Sequence, residues 1–151
     1  MAYVGAGQPT RGCFLCAAQA ATDDAAHYVL DRAKTGFLIL NAFPYSAGHL
    51  MAVVNRHAGD LDELSEEEQL DVMRLARRGV DALRRAYHPD GFNLGVNMGR
   101  AAGAGVEGHL HLHVVPRWVG DTNFMPVVGA VKVIPEALEE TFRRLRAELT
   151  R

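Results

Sequence analysis

Three histidines alternate with leucines in one short apolar segment, His109-Leu-His111-Leu-His113. This alternation predicts a β-strand over residues 109–115, and Pro116 is expected to end it. Alternate side chains of a strand lie on the same face of a sheet. We therefore expect the three imidazoles on one face and the apolar side chains on the other. Imidazoles grouped in this way indicate metal binding or catalysis.

The spacing of the histidines separates these two kinds of chemistry. Residues four apart in a strand lie about 13 Å from each other, at about 3.3 Å per residue. Nitrogen ligands of a zinc ion lie only about 2.0–2.1 Å from the metal, so His109 and His113 cannot easily share one ion. A neighbouring pair remains able to do so with ligands from elsewhere. The arrangement favours a reactive His111 with a histidine on each side, and the alternative is a chance cluster on a solvated strand.

The only two cysteines of the chain form a Cys13-x-x-Cys16 pair. In an intracellular chain this spacing indicates a zinc site or a redox pair. A redox pair is expected at a junction of strand and helix, as in thioredoxin, and the sequence shows no such context. A zinc site needs two further ligands. Reduced thiols without a metal are the remaining alternative.

Five short segments have the alternation that is typical of strands, namely residues 27–32, 36–41, 49–54, 92–97 and 109–115. A capping box at Ser65 and Glu68 predicts the start of a long helix. Its apolar stripe is expected at Leu70, Met73, Ala76, Val80, Leu83 and Tyr87. Pro135 is expected to open a C-terminal helix, with a stripe of Leu138, Phe142, Leu145 and Leu149. Short strands around one long helix predict an α+β fold with a mostly antiparallel sheet.

The bulk properties of the chain limit the classes of function. A length of 151 residues suits a single domain, residues 1–151, of which residues 1–12 are expected to be flexible. The formal net charge of −2 provides no global positive field for nucleic acid. No apolar run approaches the length of a membrane span, and the N-terminus lacks a signal-peptide pattern. We therefore expect a cytoplasmic protein without nucleic-acid or membrane partners.

The His-φ-His-φ-His-φ-φ pattern, in which φ is apolar, is the motif of the histidine-triad (HIT) superfamily of nucleotide hydrolases and transferases, which this chain resembles. Residues 41–49, Asn-Ala-Phe-Pro-Tyr-Ser-Ala-Gly-His, resemble its N-x-x-P-x-x-x-G-H segment, and residues 93–99 resemble its second nucleotide-contacting strand. Residues 116–124 are similar to a bacterial branch that includes diadenosine tetraphosphate phosphorylases and hydrolases. The resemblance covers residues 13–133. It implies a HIT-like fold whose five-stranded sheets join across a homodimer.

The resemblance also implies roles for single residues. His111 matches the nucleophile that attacks the α-phosphorus of a nucleotide and forms a nucleotidyl-histidine. His113 and His49 match positions that contact the phosphate and orient the nucleophile. Asn41 matches the position that binds the ribose, and Asn97 matches one near the phosphate or the leaving group. Candidates for the base pocket are Phe43, Leu40 and Ile39, with core packing as the alternative.

A structural zinc ion is a further implication of the resemblance. Some members of the superfamily, and the related galactose-1-phosphate uridylyltransferases, bind zinc through a C-x-x-C pair, a histidine after the third strand and the histidine two before the nucleophile. The matching residues here are Cys13, Cys16, His57 and His109. Four such ligands would complete a tetrahedral site. His109 would then have no direct part in catalysis.

One segment departs from the family pattern. Many members carry Gly-Gln-Ser or Gly-Gln-Thr before the triad, where those side chains help to hold the leaving group, whereas residues 103–108 here are Gly-Ala-Gly-Val-Glu-Gly. Gly105 and its neighbours are expected to present backbone amides to phosphates instead, and phosphate becomes a candidate acceptor beside water. The predicted function is cleavage of a dinucleoside polyphosphate, diadenosine tetraphosphate being the first choice, by phosphorolysis or hydrolysis. The alternatives are an adenylyl phosphoramidate hydrolase and a non-catalytic nucleotide-binding protein.

Overall fold

A computed structural model describes residues 12–103, 105–106, 108–121 and 136–151. Residues 1–11, Pro135 at the expected start of the last helix, and residues 122–124 of the bacterial-branch segment lie outside the described residues. The helices are α1 (Phe14–Ala20), α2 (Glu66–Tyr87) and α3 (Leu138–Leu149), with short 3₁₀ turns at Leu61–Glu63 and Arg100–Ala102. The strands are β1 (Val29–Arg32), β2 (Gly36–Leu40), β3 (Leu50–Val54), β4 (Gly91–Val96) and β5 (His111–Arg117). None of the described helices is long and apolar enough to cross a membrane.

The five strands form one antiparallel sheet in the order β1-β2-β3-β5-β4. The predicted α+β class and all five strands are confirmed, with limits that differ by up to two residues. His27 lies before β1 because Tyr28 takes a left-handed backbone conformation with φ of 55°. Pro116 lies inside β5 and does not end it, because β3 pairs with β5 only as far as Val114. Pro116 is therefore flanked by one strand, as at the edge of a sheet, where a missing N–H is tolerated.

The two faces of the sheet carry different side chains because successive residues alternate. One face carries Leu38, Leu50, Leu112 and Val114, which pack beneath α2 and α3 in the main core. The other face carries a second cluster, which includes Phe37, Ile39, Met51 and Val53 and which packs against Leu15 and Ala18 of α1. The register pairs Met51 with His113 and Val53 with His111, so both histidines lie on this second face.

Helix α2 begins at the Ser65 capping box, as predicted. The predicted apolar stripe is wrong at its first two positions, because Leu70 and Met73 are 48% and 55% exposed. Asp71 lies on the buried side instead, where the backbone N–H and the hydroxyl of Thr35 both donate to its carboxylate. A charged group satisfied in this way can occupy a buried position. The apolar residues that α2 does bury are Val72, Leu75, Ala76, Ala82 and Leu83.

Candidate active site and metal centre

The tautomer of His111 is set by the backbone. Its Nδ1 lies 2.8 Å from the carbonyl oxygen of His109, two residues earlier. A carbonyl oxygen only accepts hydrogen bonds, so Nδ1 carries the proton and Nε2 carries the lone pair. The residue is 5% exposed, and its ring lies edge-on to that of His113 with the ring centroids 4.9 Å apart. In the neutral ring the geometry therefore leaves the lone pair on Nε2, which is the atom that could act as a nucleophile.

A chain of hydrogen bonds sets the tautomers of the two neighbouring histidines. The backbone N–H of Tyr45 donates to Nδ1 of His49 across 3.1 Å. Because Nδ1 accepts, the neutral His49 ring carries its proton on Nε2, which lies 3.0 Å from Nδ1 of His113 and donates to it. His113 then carries its own proton on Nε2. This N–H is a hydrogen-bond donor on the same face of the sheet as His111.

The Tyr45 ring lies beside these histidines. Its centroid is 4.7 Å from that of His49 and 6.3 Å from that of His113. The residue type of Tyr45 does not indicate a role in the site. Its position between Pro44 and Gly48, in the loop that leads to His49, is the one sequence feature that could have pointed to it.

Burial, together with the neighbouring His111, lowers the pKa of His113 to about 4. His113 is therefore neutral at pH 7 and keeps its single Nε2 proton.

The four predicted metal ligands come together at one point. Cys13, Cys16, His57 and His109 each offer one ligand atom, and these atoms all lie within 4.8 Å of one another. The sulfur–nitrogen separations are 3.2 Å between Cys13 and His109, 3.4 Å between Cys16 and His57, and 3.4 Å between Cys16 and His109. A tetrahedron with the usual Zn–S and Zn–N bond lengths has sulfur–nitrogen edges of about 3.5 Å. The donor set and its spacing fit a zinc ion.

The outer contacts of His109 suit metal ligation. Its Nε2 lies 2.7 Å from the carbonyl oxygen of Val54 and donates to it, so the Nδ1 lone pair faces the cysteines. Burial lowers the pKa of His109, which favours the neutral ring that a metal requires. The backbone carbonyl of the same residue accepts the hydrogen bond from His111. His109 thus connects the metal cluster, the set of four predicted metal ligands, to His111.

The glycine loop before the triad rests on this cluster. Gly108 has φ of +85°, and a Cβ atom placed there would lie 3.1 Å from Nε2 of His57. A Cβ atom on Gly59 would lie 2.6 Å from the Cα atom of Gly108. The two glycines therefore permit a close approach between the loop that follows β3 and the loop that precedes the triad. Gly105 is exposed within the second loop.

A cavity of about 420 Å³ opens on the side of the sheet that carries the histidines. Its walls come from α1, from the turn before β1 and from the end of β2, and they include Phe14, Ala17, Tyr28, Ile39 and Leu40. Two of the three candidates for the base pocket, Ile39 and Leu40, therefore line this cavity. Phe43 is absent from this lining and is 66% exposed.

The two asparagines of the predicted nucleotide site lie at different edges of the histidine cluster. Asn41 follows β2, its side-chain nitrogen lies 3.4 Å from both ring nitrogens of His49, and its side-chain oxygen accepts from the N–H of Phe43. Asn97 follows β4 directly after the pairing of Val96 with Leu112. It therefore lies at the level of His111. The histidines therefore lie between these two asparagines.

Comparisons with known proteins agree with this geometry. A family model described as "HIT domain" matches residues 24–119. An AP-4-A phosphorylase of Mycobacterium tuberculosis is 41% identical over 123 residues, which are 82% of this chain and 63% of that protein. The chain thus spans less than two thirds of that relative's length. A HIT-like protein of Methanocaldococcus jannaschii is 30% identical over 116 residues, 77% of this chain and 84% of that protein. The solved structure of a Zn-bound histidine triad family protein from Mycobacterium smegmatis superposes with a TM-score of 0.74 at 31% identity, covering 92% of this chain and 94% of that one.

Proposed function

Because the chain belongs to the HIT domain family, we propose that it is an enzyme that transfers a nucleotidyl group from a dinucleoside polyphosphate, with diadenosine tetraphosphate as the preferred substrate. The observation that carries this proposal is the hydrogen bond from Nδ1 of His111 to the carbonyl oxygen of His109. In the neutral ring this bond places the lone pair on Nε2, the atom that the proposed mechanism uses as its nucleophile. The similarity to an AP-4-A phosphorylase supports the choice of substrate.

In the proposed reaction Nε2 of His111 attacks the α-phosphorus of one nucleotide unit of the substrate. A nitrogen–phosphorus bond forms, the bond from that phosphorus to the bridging oxygen breaks, and ATP leaves with the bridging oxygen. The Nε2–H of His113 donates to an oxygen of the transferring phosphoryl group, where negative charge concentrates in the transition state. An acceptor then releases the nucleotide from His111. Inorganic phosphate yields ADP, and water yields AMP.

The remaining predicted residues would each bind a different part of the substrate. We propose that the cavity beside α1 holds the base and that Asn41 binds the ribose hydroxyls. Asn97 and the backbone amides around Gly105 then hold the leaving polyphosphate. This placement is supported by the order of the strands, because β2 leads to the cavity and β4 leads to the glycine loop on opposite sides of β5.

We also propose that Cys13, Cys16, His57 and His109 hold a structural zinc ion. A closed set of four protein ligands leaves no position for substrate, so the metal would supply rigidity and not Lewis-acid chemistry. The residues themselves support this assignment through their tetrahedral spacing. The Zn-bound relative from Mycobacterium smegmatis is consistent with it.

A homodimer is the proposed assembly. β4 lies at an edge of the sheet and pairs only with β5 among the described residues. Leu94 in its middle is 46% exposed, and Met98 just after it is 42% exposed. An edge strand with exposed apolar side chains is a natural site for pairing with a second copy. Leu94→Arg is expected to convert the dimer to a 16.5 kDa monomer in analytical ultracentrifugation, and a wild-type monomer at micromolar concentration would refute the assembly.

The proposed function is tested by incubating the protein with diadenosine tetraphosphate, with and without inorganic phosphate, and identifying the products. ATP and ADP formed only with phosphate identify a phosphorylase, and ATP and AMP formed without it identify an asymmetric hydrolase. No turnover in either mixture refutes the proposed substrate, and adenylyl phosphoramidates are then the next substrates to test.

The role of His111 needs its own variant. His111→Ala is expected to lower turnover by about a thousandfold or more, since the nucleophile is lost. The control is Arg77→Ala, at an exposed position of α2 with no ion pair among the described residues. Full activity in His111→Ala would refute the covalent mechanism.

A further inference from the structure

We propose that His27 recognises the edge of the nucleotide base and so sets the base preference of this protein. The inference rests on the proposed function, because it takes the cavity beside α1 as the site of the base. His27 lies in the turn before β1, and it both lines the cavity and reaches solvent. No resemblance to a motif points to this residue.

Few side chains in the cavity walls can form a hydrogen bond with a base. Most lining side chains are apolar, including Phe14, Ala17, Ile39 and Leu40. Apolar walls bind the face of any base by burial and stacking, and they discriminate weakly between bases of similar size. Discrimination between bases therefore requires a polar group in the lining.

Three lining side chains carry a polar atom, and two of them are already engaged. The hydroxyl of Tyr28 donates to Oε1 of Glu139 across 2.6 Å. The sulfur of Cys13 lies 3.2 Å from Nδ1 of His109 in the metal cluster. The imidazole of His27 makes no hydrogen bond to any residue within the described segments. Elimination leaves His27 as the side chain that is available to a base.

The backbone holds His27 in place without using its side chain. The N–H of Tyr28 donates to the carbonyl of Ala25, and the N–H of Leu40 in β2 donates to the carbonyl of Tyr28. Tyr28 has a left-handed φ of 55°, which an aromatic residue adopts only when its surroundings enforce it. The hydrogen bond from Leu40 thus holds the turn against the sheet at Tyr28, the residue that follows His27. A pinned turn presents the imidazole at the rim of the cavity at little cost in conformational entropy.

The chemistry of a neutral imidazole suits a purine. One ring nitrogen donates and the other accepts. Adenine offers an exocyclic amino donor beside its N7 acceptor, whereas guanine offers two acceptors at the same edge. A cavity of about 420 Å³ lies in the size range of small-molecule sites and accommodates a purine. His27 is therefore expected to favour one purine over the other through a single, partly exposed hydrogen bond, an effect of about three- to tenfold.

The test measures binding by calorimetry for AMP, GMP and ribose 5-phosphate, with wild type, His27→Phe and His27→Gln. Phenylalanine keeps an aromatic ring of similar area and removes both polar atoms, and glutamine restores a donor and an acceptor. The wild type is expected to bind one of AMP and GMP three- to tenfold more tightly than the other. In His27→Phe that ratio should fall to within about twofold of one, and in His27→Gln a preference should return. Ribose 5-phosphate should bind equally to all three proteins.

Two outcomes separate this inference from the proposed function. If the wild type and His27→Phe bind AMP and GMP with the same ratio, His27 does not read the base, although the proposed function stands. If the wild type binds none of the three compounds, the proposed function fails and this inference fails with it. A variant that loses affinity for ribose 5-phosphate as well would show that His27 supports the fold of the cavity, and that result would also overturn the assignment.

Discussion

Gly48 immediately precedes His49, and replacing it by alanine should destabilise the fold for two separable reasons. Its φ is +80°, a conformation that costs a residue with a Cβ atom about 1–2 kcal/mol. The added Cβ atom would lie 2.5 Å from Cδ2 of Leu83, and overpacking of this kind costs about 1–3 kcal/mol. The sum for Gly48→Ala is about 2–5 kcal/mol, a large part of the stability of a typical domain.

Urea unfolding followed by the fluorescence of Trp118, the single tryptophan, measures this loss. With a slope of about 2 kcal/mol per molar urea, the midpoint should fall by about 1–2.5 M. Gly91→Ala is the matched control, because nothing lies within 4 Å of its added Cβ atom and its effect should stay within about 1 kcal/mol. In a Leu83→Ala background the cost of Gly48→Ala should fall to the conformational part alone, about 1–2 kcal/mol. A loss below about 1 kcal/mol in the wild-type background would refute this account of the loop.

Three further outcomes follow from other contacts. Arg56 holds the pKa of Glu68 at about 2. The stability that this pair contributes is therefore complete above the ordinary carboxyl pKa of about 4.3 and is lost as the pH falls towards 2. Glu68→Gln should cost about 1–2 kcal/mol at pH 7 and should flatten the acid unfolding curve measured by circular dichroism between pH 4 and 2. Cys16→Ser should reduce the metal content measured by elemental analysis from about one ion per chain to near zero and lower the melting temperature, and a metal-free wild-type preparation would contradict the zinc site. Because the pKa of His113 is lowered to about 4, the imidazole signals of His113 in an NMR pH titration should shift only as the pH approaches 4; a midpoint near the unperturbed histidine pKa of about 6.5 would contradict the lowered pKa.

The strands and the shared face of the histidines could be predicted from the sequence because both depend on the alternation of residues within short segments. A period of two places His111 and His113 on one face whatever surrounds them. The position of His57 depended on the family resemblance, since no local pattern connects it to Cys16 across 41 residues. The resemblance identified His57 as a neighbour of the other three residues, because a metal site of the kind it implies requires particular residue types at fixed places in the fold.

Other features could not be predicted because they depend on tertiary contacts. The orientation of α2 was assigned incorrectly at Leu70 and Met73, since Asp71 occupies the buried side only when Thr35 is present to satisfy it. Helix α1 was not predicted because its seven residues are too few for a clear periodic pattern. The cavity wall that α1 provides was missed for the same reason.

Cys13 lies at once in the metal cluster and in the wall of the cavity. If zinc and nucleotide bind where we propose, both would restrict Cys13, and the two binding equilibria would be coupled. Thermodynamic linkage makes such coupling reciprocal: the factor by which the metal changes nucleotide affinity equals the factor by which the nucleotide changes metal affinity. If the coupling is positive, a chelator would remove less metal at equilibrium when nucleotide is present. Cys13 would thereby link the binding of zinc to the binding of nucleotide.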